Sequence, residues 1–321
     1  MKLKRRGIAD LFIGKHRMKG SPALIGIGLF LAGMASAFLL VSFAPDFRFR
    51  LSEEDKGKGI QRAISLAPNI TETIFALNAD VKLRAVSDFC NYPPSVNKKP
   101  SVGSIANPSM EEILALYPDA VLVQQPHPEI RSFCENHGIP YYCLRMNSLS
   151  SIRQGILKLG ELFGCRERAL ELQEDIWQKM DEIRSDVDRQ GKPQVLVSTG
   201  RTPGSLKRIY AAGSESFLSE LVKVAGGENI LDDVSQVFSP VSLETIIKRN
   251  PDVIIETYMG NDLGADKRRQ LKKDWRRLPA VAAVKNGRVH IVTKDYVQIP
   301  GPRIIQTARL FQEFCHPDNE G

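Results

Sequence analysis

The chain carries no Gly-x-Ser-x-Gly, no P-loop and no His-Glu-x-x-His, and no Gly-x-Gly-x-x-Gly follows a strand pattern. The signatures of nucleophile-elbow hydrolases, P-loop phosphotransferases, zincin proteases and dinucleotide-binding dehydrogenases are therefore missing. Metal-ligand spacing is missing as well. There is no Cys-x-x-Cys pair, and the five histidines (His16, His127, His137, His290, His316) do not cluster, which argues against zinc or manganese receptors that gather several histidines and a carboxylate. No metal and no resident cofactor are assigned. The five cysteines, Cys90, Cys134, Cys143, Cys165 and Cys315, are an odd and scattered set. Cys134 and Cys143 could face each other, but small buried side chains are the commoner use of such cysteines. Tryptophan occurs twice in 321 residues, at Trp177 and Trp275, both in helical patterns.

Net charge is absent from most of the chain. The total of +7 would hint at a polyanion partner. Nine of the 44 Lys/Arg but only two of the 37 acids fall in residues 1–50, so the remainder is balanced. No nucleic-acid partner is expected. Within those fifty residues, 23–44 hold no charged side chain and are long enough for a helix to cross a bilayer. Seven basic residues precede them and place the N-terminus in the cytoplasm, with everything downstream outside. Residues 1–22 thus read as a cytoplasmic basic segment and 23–44 as a transmembrane anchor or signal segment. Ala35-Ser36-Ala37 looks like a cleavage site, yet the apolar run continues through Val41, which favours an uncleaved anchor. Met34 stands where a lipidated cysteine would be needed. Residues 45–59, rich in charge and glycine, read as a linker.

Two copies of one stretch organise the remainder of the chain. Ser109-Met110-Glu111 and Ser242-Leu243-Glu244 each put a helix-capping serine two residues ahead of a glutamate, then close the helix with Pro-Asp (Pro118-Asp119, Pro251-Asp252) before an apolar strand. A repeated α-then-β unit predicts two similar lobes, each presenting one carboxylate at the same point. Around these units strands and short helices alternate, as in a parallel doubly wound sheet. Asn69, with Glu72 three residues on, predicts a capped start for a helix over 70–77. Residues 150–189 break the alternation with helical periodicity and no strand, and 167–189 would make a helix about 35 Å long. The expected fold class is α/β: two doubly wound lobes, 60–149 and 191–321, joined by a helical connection over 150–190 with a long backbone helix, and preceded by an N-terminal transmembrane helix.

The stretches Ile64 to Glu72, Asp88-Phe89-Cys90-Asn91-Tyr92-Pro93-Pro94, Val102-Gly103 through Asn107-Pro108, the two glutamate repeats, Gly226 to Ile230 and Gly301-Pro302-Arg303 occur in one order. In that order, residues 60–316 resemble the substrate-binding proteins of ABC importers for vitamin B12, ferric siderophores and haem. The resemblance implies two rigid lobes on a backbone helix, a small-molecule ligand in the cleft between them, and no enzymatic activity. It also implies that Glu111 and Glu244 dock onto arginines of a permease dimer, which acts with its ATPase subunits. A first-turn carboxylate is favoured by the helix dipole and pairs bidentately with arginine.

Loops at the carboxyl ends of parallel strands line such clefts. That rule makes Phe89, Tyr92, Asn107, His127, Arg201, Tyr258 and Tyr296 the candidate ligand-binding residues, with Ile105, Gln125 and Met259 beside them. Aromatic faces suit a flat macrocycle. His127, between Pro126 and Pro128, is either a ligand group or a solvated loop histidine. Arg201 either meets a ligand carboxylate or solvates a turn. Ile105 stands where cobalamin binders of the resembled family often place tryptophan. The expected protein is thus an extracytoplasmic receptor for a corrinoid or an iron chelate, held at the cytoplasmic membrane by its N-terminal helix. The alternatives are a membrane-tethered sensor domain and an exported α/β enzyme of unknown reaction.

Overall fold

The computed structural model describes residues 59–317 apart from 188, 203 and 259–262. They belong to one compact unit, Glu53–Gly321. The basic segment, the membrane segment and nearly all of the linker lie outside the described residues. Among the described residues no helix is long and apolar enough to cross a membrane.

The first sheet grows from two short runs that water never reaches. Strand β1 (Ala63–Ser65) is buried throughout. Helix α1 (Pro68–Ala76) leads on to β2 (Leu83–Val86), where Arg84 alone faces out. A two-stranded ribbon comes next, β3 (Gly103–Ser104) against β4 (Asn107–Pro108). Gly103 has φ +87°, and a Cβ there would lie 2.9 Å from the Asn107 carbonyl oxygen, so the ribbon needs glycine. Then come α2 (Met110–Ala115), the fully buried β5 (Ala120–Val123), α3 (Pro128–Asn136) and β6 (Tyr141–Cys143). The order is β2-β1-β5-β6, all parallel, with Ile64 between Ala85 and Val121. Uninterrupted apolar strands are what a sheet covered on both faces requires.

The expected cap of α1 does not form. Proline occupies the first helical position, Ala67 precedes it without a side-chain bond, and Asn69 and Glu72 are both buried. Glu72 is drawn inward by an arginine from the far end of the chain, a partner no local spacing could disclose.

Helices α4 (Leu149–Leu162) and α5 (Arg166–Val187) form the connection. Ser148 and Ser151 cap α4 reciprocally. In α5 the buried positions Ala169, Gln173, Ile176, Met180, Ile183 and Val187 recur at spacings of three and four, one stripe along a helix of about 33 Å. A Cβ on Gly160 would lie 2.4 Å from the Ala169 Cβ, so glycine lets α4 and α5 touch.

The second sheet contains β7 (Gln194–Gly200), β8 (Ile209–Ala212), β9 (Glu228–Asn229), β10 (Phe238–Val241), β11 (Val253–Thr257) and β12 (Val289–Val292). Its helices are α6 (Phe217–Val224), α7 (Leu243–Arg249), α8 (Gly264–Trp275), α9 (Ala282–Lys285) and α10 (Ile304–Cys315). The order is β10-β8-β7-β11-β12, with β9 also on β7. β11 runs parallel to β7 and β12, but β8 and β10 are antiparallel. This pair departs from the expected alternation. Its strands are four residues each and leave Tyr210 and Phe238 exposed, a weak pattern typical of a sheet edge. One apolar core cluster runs from Ile70 and Leu122 through Ile156 and Ile176 to Val195, Phe217 and Phe311. The connecting helices are thus packed core that joins the two sheets rigidly.

All five cysteines are free thiols, and Cys134 is fully buried.

Candidate functional site

A cavity of about 280 Å³ opens where the two halves meet. The first half contributes Gln124 and Gln125, just after β5, and Asn147, just before α4. The second contributes Phe217, Val237, Phe238, Gln298 and Pro300. Gln125 donates to the Asn147 side-chain oxygen at 3.3 Å, and the Phe217 amide donates to the Asn147 carbonyl at 2.6 Å. Gln298 is fixed by donating to Thr257 Oγ1 at 2.7 Å. None of the eight lining residues is ionisable. Four carboxamides and two phenyl rings set its chemistry, an apolar recess with directional hydrogen bonds.

The halves are also bolted together by charge. Arg303, at the start of α10, donates from Nε and Nη2 to the two Glu72 oxygens at 2.9 and 2.6 Å, and from Nη1 to Asp295 at 2.9 Å. Its Cζ lies 3.9 Å from the Tyr92 ring centroid and 5.7 Å from that of Tyr296. Two tyrosines from opposite halves are thereby held against one guanidinium. Burial would lower the Arg303 pKa, but the Glu72 and Asp295 carboxylates outweigh it and hold the cation above its ordinary value. Glu220 of α6 adds a second tie, accepting from the Leu149 amide at 2.5 Å and so capping α4 from the other half.

Arg201 is enclosed within the second half. Its side chain is wholly covered, and it donates to Glu256 at 2.6 Å, to Asp274 at 2.8 Å and to the carbonyls of Ser205 and Leu271. Trp275 Nε1 and the Tyr258 hydroxyl also donate to Glu256, at 2.6 and 2.5 Å. Arg201 is thus engaged inside the second half and is not among the residues that line the cavity. Tyr258 is half-buried, and burial, with the bond to Glu256, raises its pKa. His127 caps α3: its Nδ1 accepts from the Ile130 amide at 3.4 Å, and its own amide donates to Tyr141 Oη at 3.0 Å. Phe89 is 54% exposed and Asn107 is exposed on the ribbon. Of the residues the strand-end rule proposed, Gln125 lines the cavity, and Tyr92 and Tyr296 meet at Arg303. Gln124, Asn147 and Gln298 were missed, although Gln124 directly follows β5 and the other two lie in the loops after β6 and β12, where the same rule applies. Phe217 and Phe238 were missed because a helix start and an edge strand give no such signal.

The two repeated units fold alike in detail. Ser109 Oγ accepts from the Glu112 amide at 3.2 Å and Ser242 Oγ from the Thr245 amide at 3.1 Å. Ile113 and Ile246 point fully into the core. Each helix is followed by a residue of positive φ, Tyr117 at 47° and Asn250 at 43°. Asp119 then accepts from the Gln61 and Arg62 amides at 3.0 and 2.8 Å, and Asp252 from the Gln194 amide at 2.9 Å. Each aspartate ties its unit to the neighbouring strand. Glu111 and Glu244 occupy the same second helical position, both exposed. The Glu244 backbone amide and the Ser242 hydroxyl hold the Glu244 carboxyl below its ordinary pKa.

An all-parallel sheet and a mixed sheet on a shared helical core, with a cavity at their junction, define a two-lobed binding protein. Residues 64–296 match the family described as periplasmic binding protein, and the chain belongs to that family. It is 28% identical over 263 residues to the vitamin B12-binding protein of Pectobacterium carotovorum subsp. carotovorum, covering 79% of this chain and 87% of that protein. Among solved structures, a possible iron-binding (periplasmic solute-binding) protein from Staphylococcus epidermidis matches with a TM-score of 0.70 at 26% identity, covering 81% of this chain and 100% of that one. A periplasmic haem-binding protein from Pseudomonas aeruginosa also gives 0.70, at 23% identity over 81% of this chain and 94% of its own, a likeness of fold alone.

Proposed function

We propose that this chain is the substrate-binding component of an ABC importer that captures a corrinoid and delivers it to a permease dimer and its ATPase subunits. Residues 23–44 would hold it on the outer face of the cytoplasmic membrane. One observation carries the choice of ligand. Among the described residues the cavity lining has no ionisable group, and the two buried arginines are already neutralised, Arg201 by Glu256 and Asp274 and Arg303 by Glu72 and Asp295. A ligand with free carboxylates would meet no unspent cation there and would lose hydration without recompense. A macrocycle fringed with neutral carboxamides finds matching amides in Gln124, Gln125, Asn147 and Gln298 and apolar faces in Phe217 and Phe238. The cavity is slightly below the roughly 300–1,000 Å³ of small-molecule sites. It would therefore receive one edge of the macrocycle, the rest lying against Phe89, Tyr92, Asn107 and Tyr296. An iron chelate is the second reading, because the phenols of Tyr92 and Tyr296 are oxygen donors of the kind ferric iron accepts.

In this reading Glu111 and Glu244 are the docking carboxylates, supported by the identical folding of the two units around them. Calorimetric titration of residues 53–321 with cobalamin, haemin and a ferric hydroxamate tests the ligand. Cobalamin is expected to bind at micromolar concentration or below and more tightly than haemin; tighter haemin binding, or no binding of any of the three, overturns the corrinoid reading.

A further inference from the structure

The basic stretch 267–277 belongs neither to the cleft nor to the docking glutamates. Seven of its eleven residues are Lys or Arg, in a domain otherwise short of net positive charge. It forms most of α8 and the turn beyond. Leu271 and Trp275 point into the core, 1% and 0% exposed, and Asp274 is consumed by Arg201. On the opposite side, at positions i, i+3, i+4 and i+7, stand Arg269, Lys272, Lys273 and Arg276, all exposed. They form one straight stripe about 10 Å long. Lys267 and Arg277 flank it, also exposed.

The helix dipole favours Lys272 and Lys273, in the last turn of α8, but not Arg269. The dipole rewards cations in the last turn only, and like charges three and four residues apart repel. Lys267, Arg268 and Arg269 stand in the first half of α8. Asp266 pairs with Arg269, but both side chains are largely in water, and among the described residues no ion pair engages Lys267, Lys272, Lys273, Arg276 or Arg277. An exposed cationic row is suited to a flat anionic surface, where each cation adds to the attraction within a Debye length.

We propose that this stripe binds the anionic phospholipid headgroups of a bilayer, laying the second lobe against the membrane. The chain itself supplies the proximity, since the uncharged run 23–44 would insert in that bilayer and the fifteen-residue linker 45–59 reaches at most about 50 Å. The inference is independent of which ligand the cleft takes.

Flotation of residues 53–321, which form one compact unit, tests it with vesicles of phosphatidylethanolamine and phosphatidylglycerol against vesicles of phosphatidylcholine. The domain is expected to float with the anionic vesicles at low salt, to be released at high salt and to ignore phosphatidylcholine. The variant carrying Arg269→Gln, Lys272→Gln, Lys273→Gln and Arg276→Gln should partition more weakly by about fivefold for each cation removed, with melting temperature and cobalamin affinity unchanged. Equal flotation of the variant, flotation with phosphatidylcholine, or no flotation of the wild type at low salt overturns the proposal. Release by inorganic phosphate beyond that by chloride of matched ionic strength, or preference for duplex DNA over anionic vesicles, reassigns the stripe and overturns it too.

Discussion

Replacing Glu72 with glutamine should uncouple the two halves where Arg303 joins them. The pair is bidentate and nearly dry, with side-chain exposures of 9% for Arg303 and 3% for Glu72. Removing one partner of such a pair costs about 3–5 kcal/mol, because the remaining charge stays buried without compensation. Arg303 keeps Asp295, whose side chain is 48% exposed and so offsets only part of the loss. The expected destabilisation for Glu72→Gln is therefore at the lower end, about 3 kcal/mol. For a domain of this size that lowers the melting temperature by about 6–12 °C. Urea unfolding followed by circular dichroism measures it. The companion double replacement Glu72→Leu with Arg303→Met removes both charges and should recover to within about 1 kcal/mol of wild type. A Glu72→Gln protein within about 0.5 kcal/mol of wild type would show that the pair is well hydrated, and the account of a dry bolt between the halves would be wrong. The ligand offers a second readout. Loosened Arg303 no longer holds Tyr92, so cobalamin affinity should fall about fivefold, the worth of one such cation–aromatic contact.

Three further outcomes are expected of the same structure. Reversing both docking carboxylates, Glu111→Arg with Glu244→Arg, should abolish cellular uptake of the ligand while calorimetric affinity stays unchanged; surviving uptake would remove the docking assignment. His290 is stacked on Phe314 with ring centroids 4.0 Å apart, its Nε2 has no hydrogen-bond partner among the described residues, and burial, aided by Lys272 and Arg288, lowers its pKa to about 4. The unfolded state then binds the proton more readily, so stability should drop as pH falls from about 6.5 towards 4; a melting-temperature profile over that window should flatten in His290→Gln. Tyr117 holds a φ of 47° that suits glycine better, and its side chain is 78% exposed. Tyr117→Gly should thus raise stability by about 0.5–1 kcal/mol, read from the urea midpoint.

Much of the architecture is legible in the sequence. The paired Ser-x-Glu and Pro-Asp units marked two helix starts and stops because caps and breakers act within a few residues of themselves. The long connection showed its helix in the spacing of Ile176, Met180, Ile183 and Val187, where a stripe of one face repeats every turn. The strand-end rule reached Gln125, Tyr92 and Tyr296 on the same local grounds. What local pattern could not carry was partnership over distance. Glu72 read as part of a helix cap, yet 231 residues separate it from the arginine that claims it. For Arg201 the sequence leaves a ligand carboxylate and a solvated turn equally open, and nothing near it in the chain announces Glu256, Asp274 and Leu271, which enclose it. The antiparallel edge was hidden because β10 alternates exposed and half-buried residues, none of them fully buried, and so leaves no apolar run in the sequence. The sequence alone determined the main alternation of strands and helices, the long connecting helix and the repeat that carries Glu111 and Glu244. Which charges remain free to meet a ligand was decided only by tertiary structure, because neutralisation depends on a few ångströms of space between residues that the chain keeps far apart.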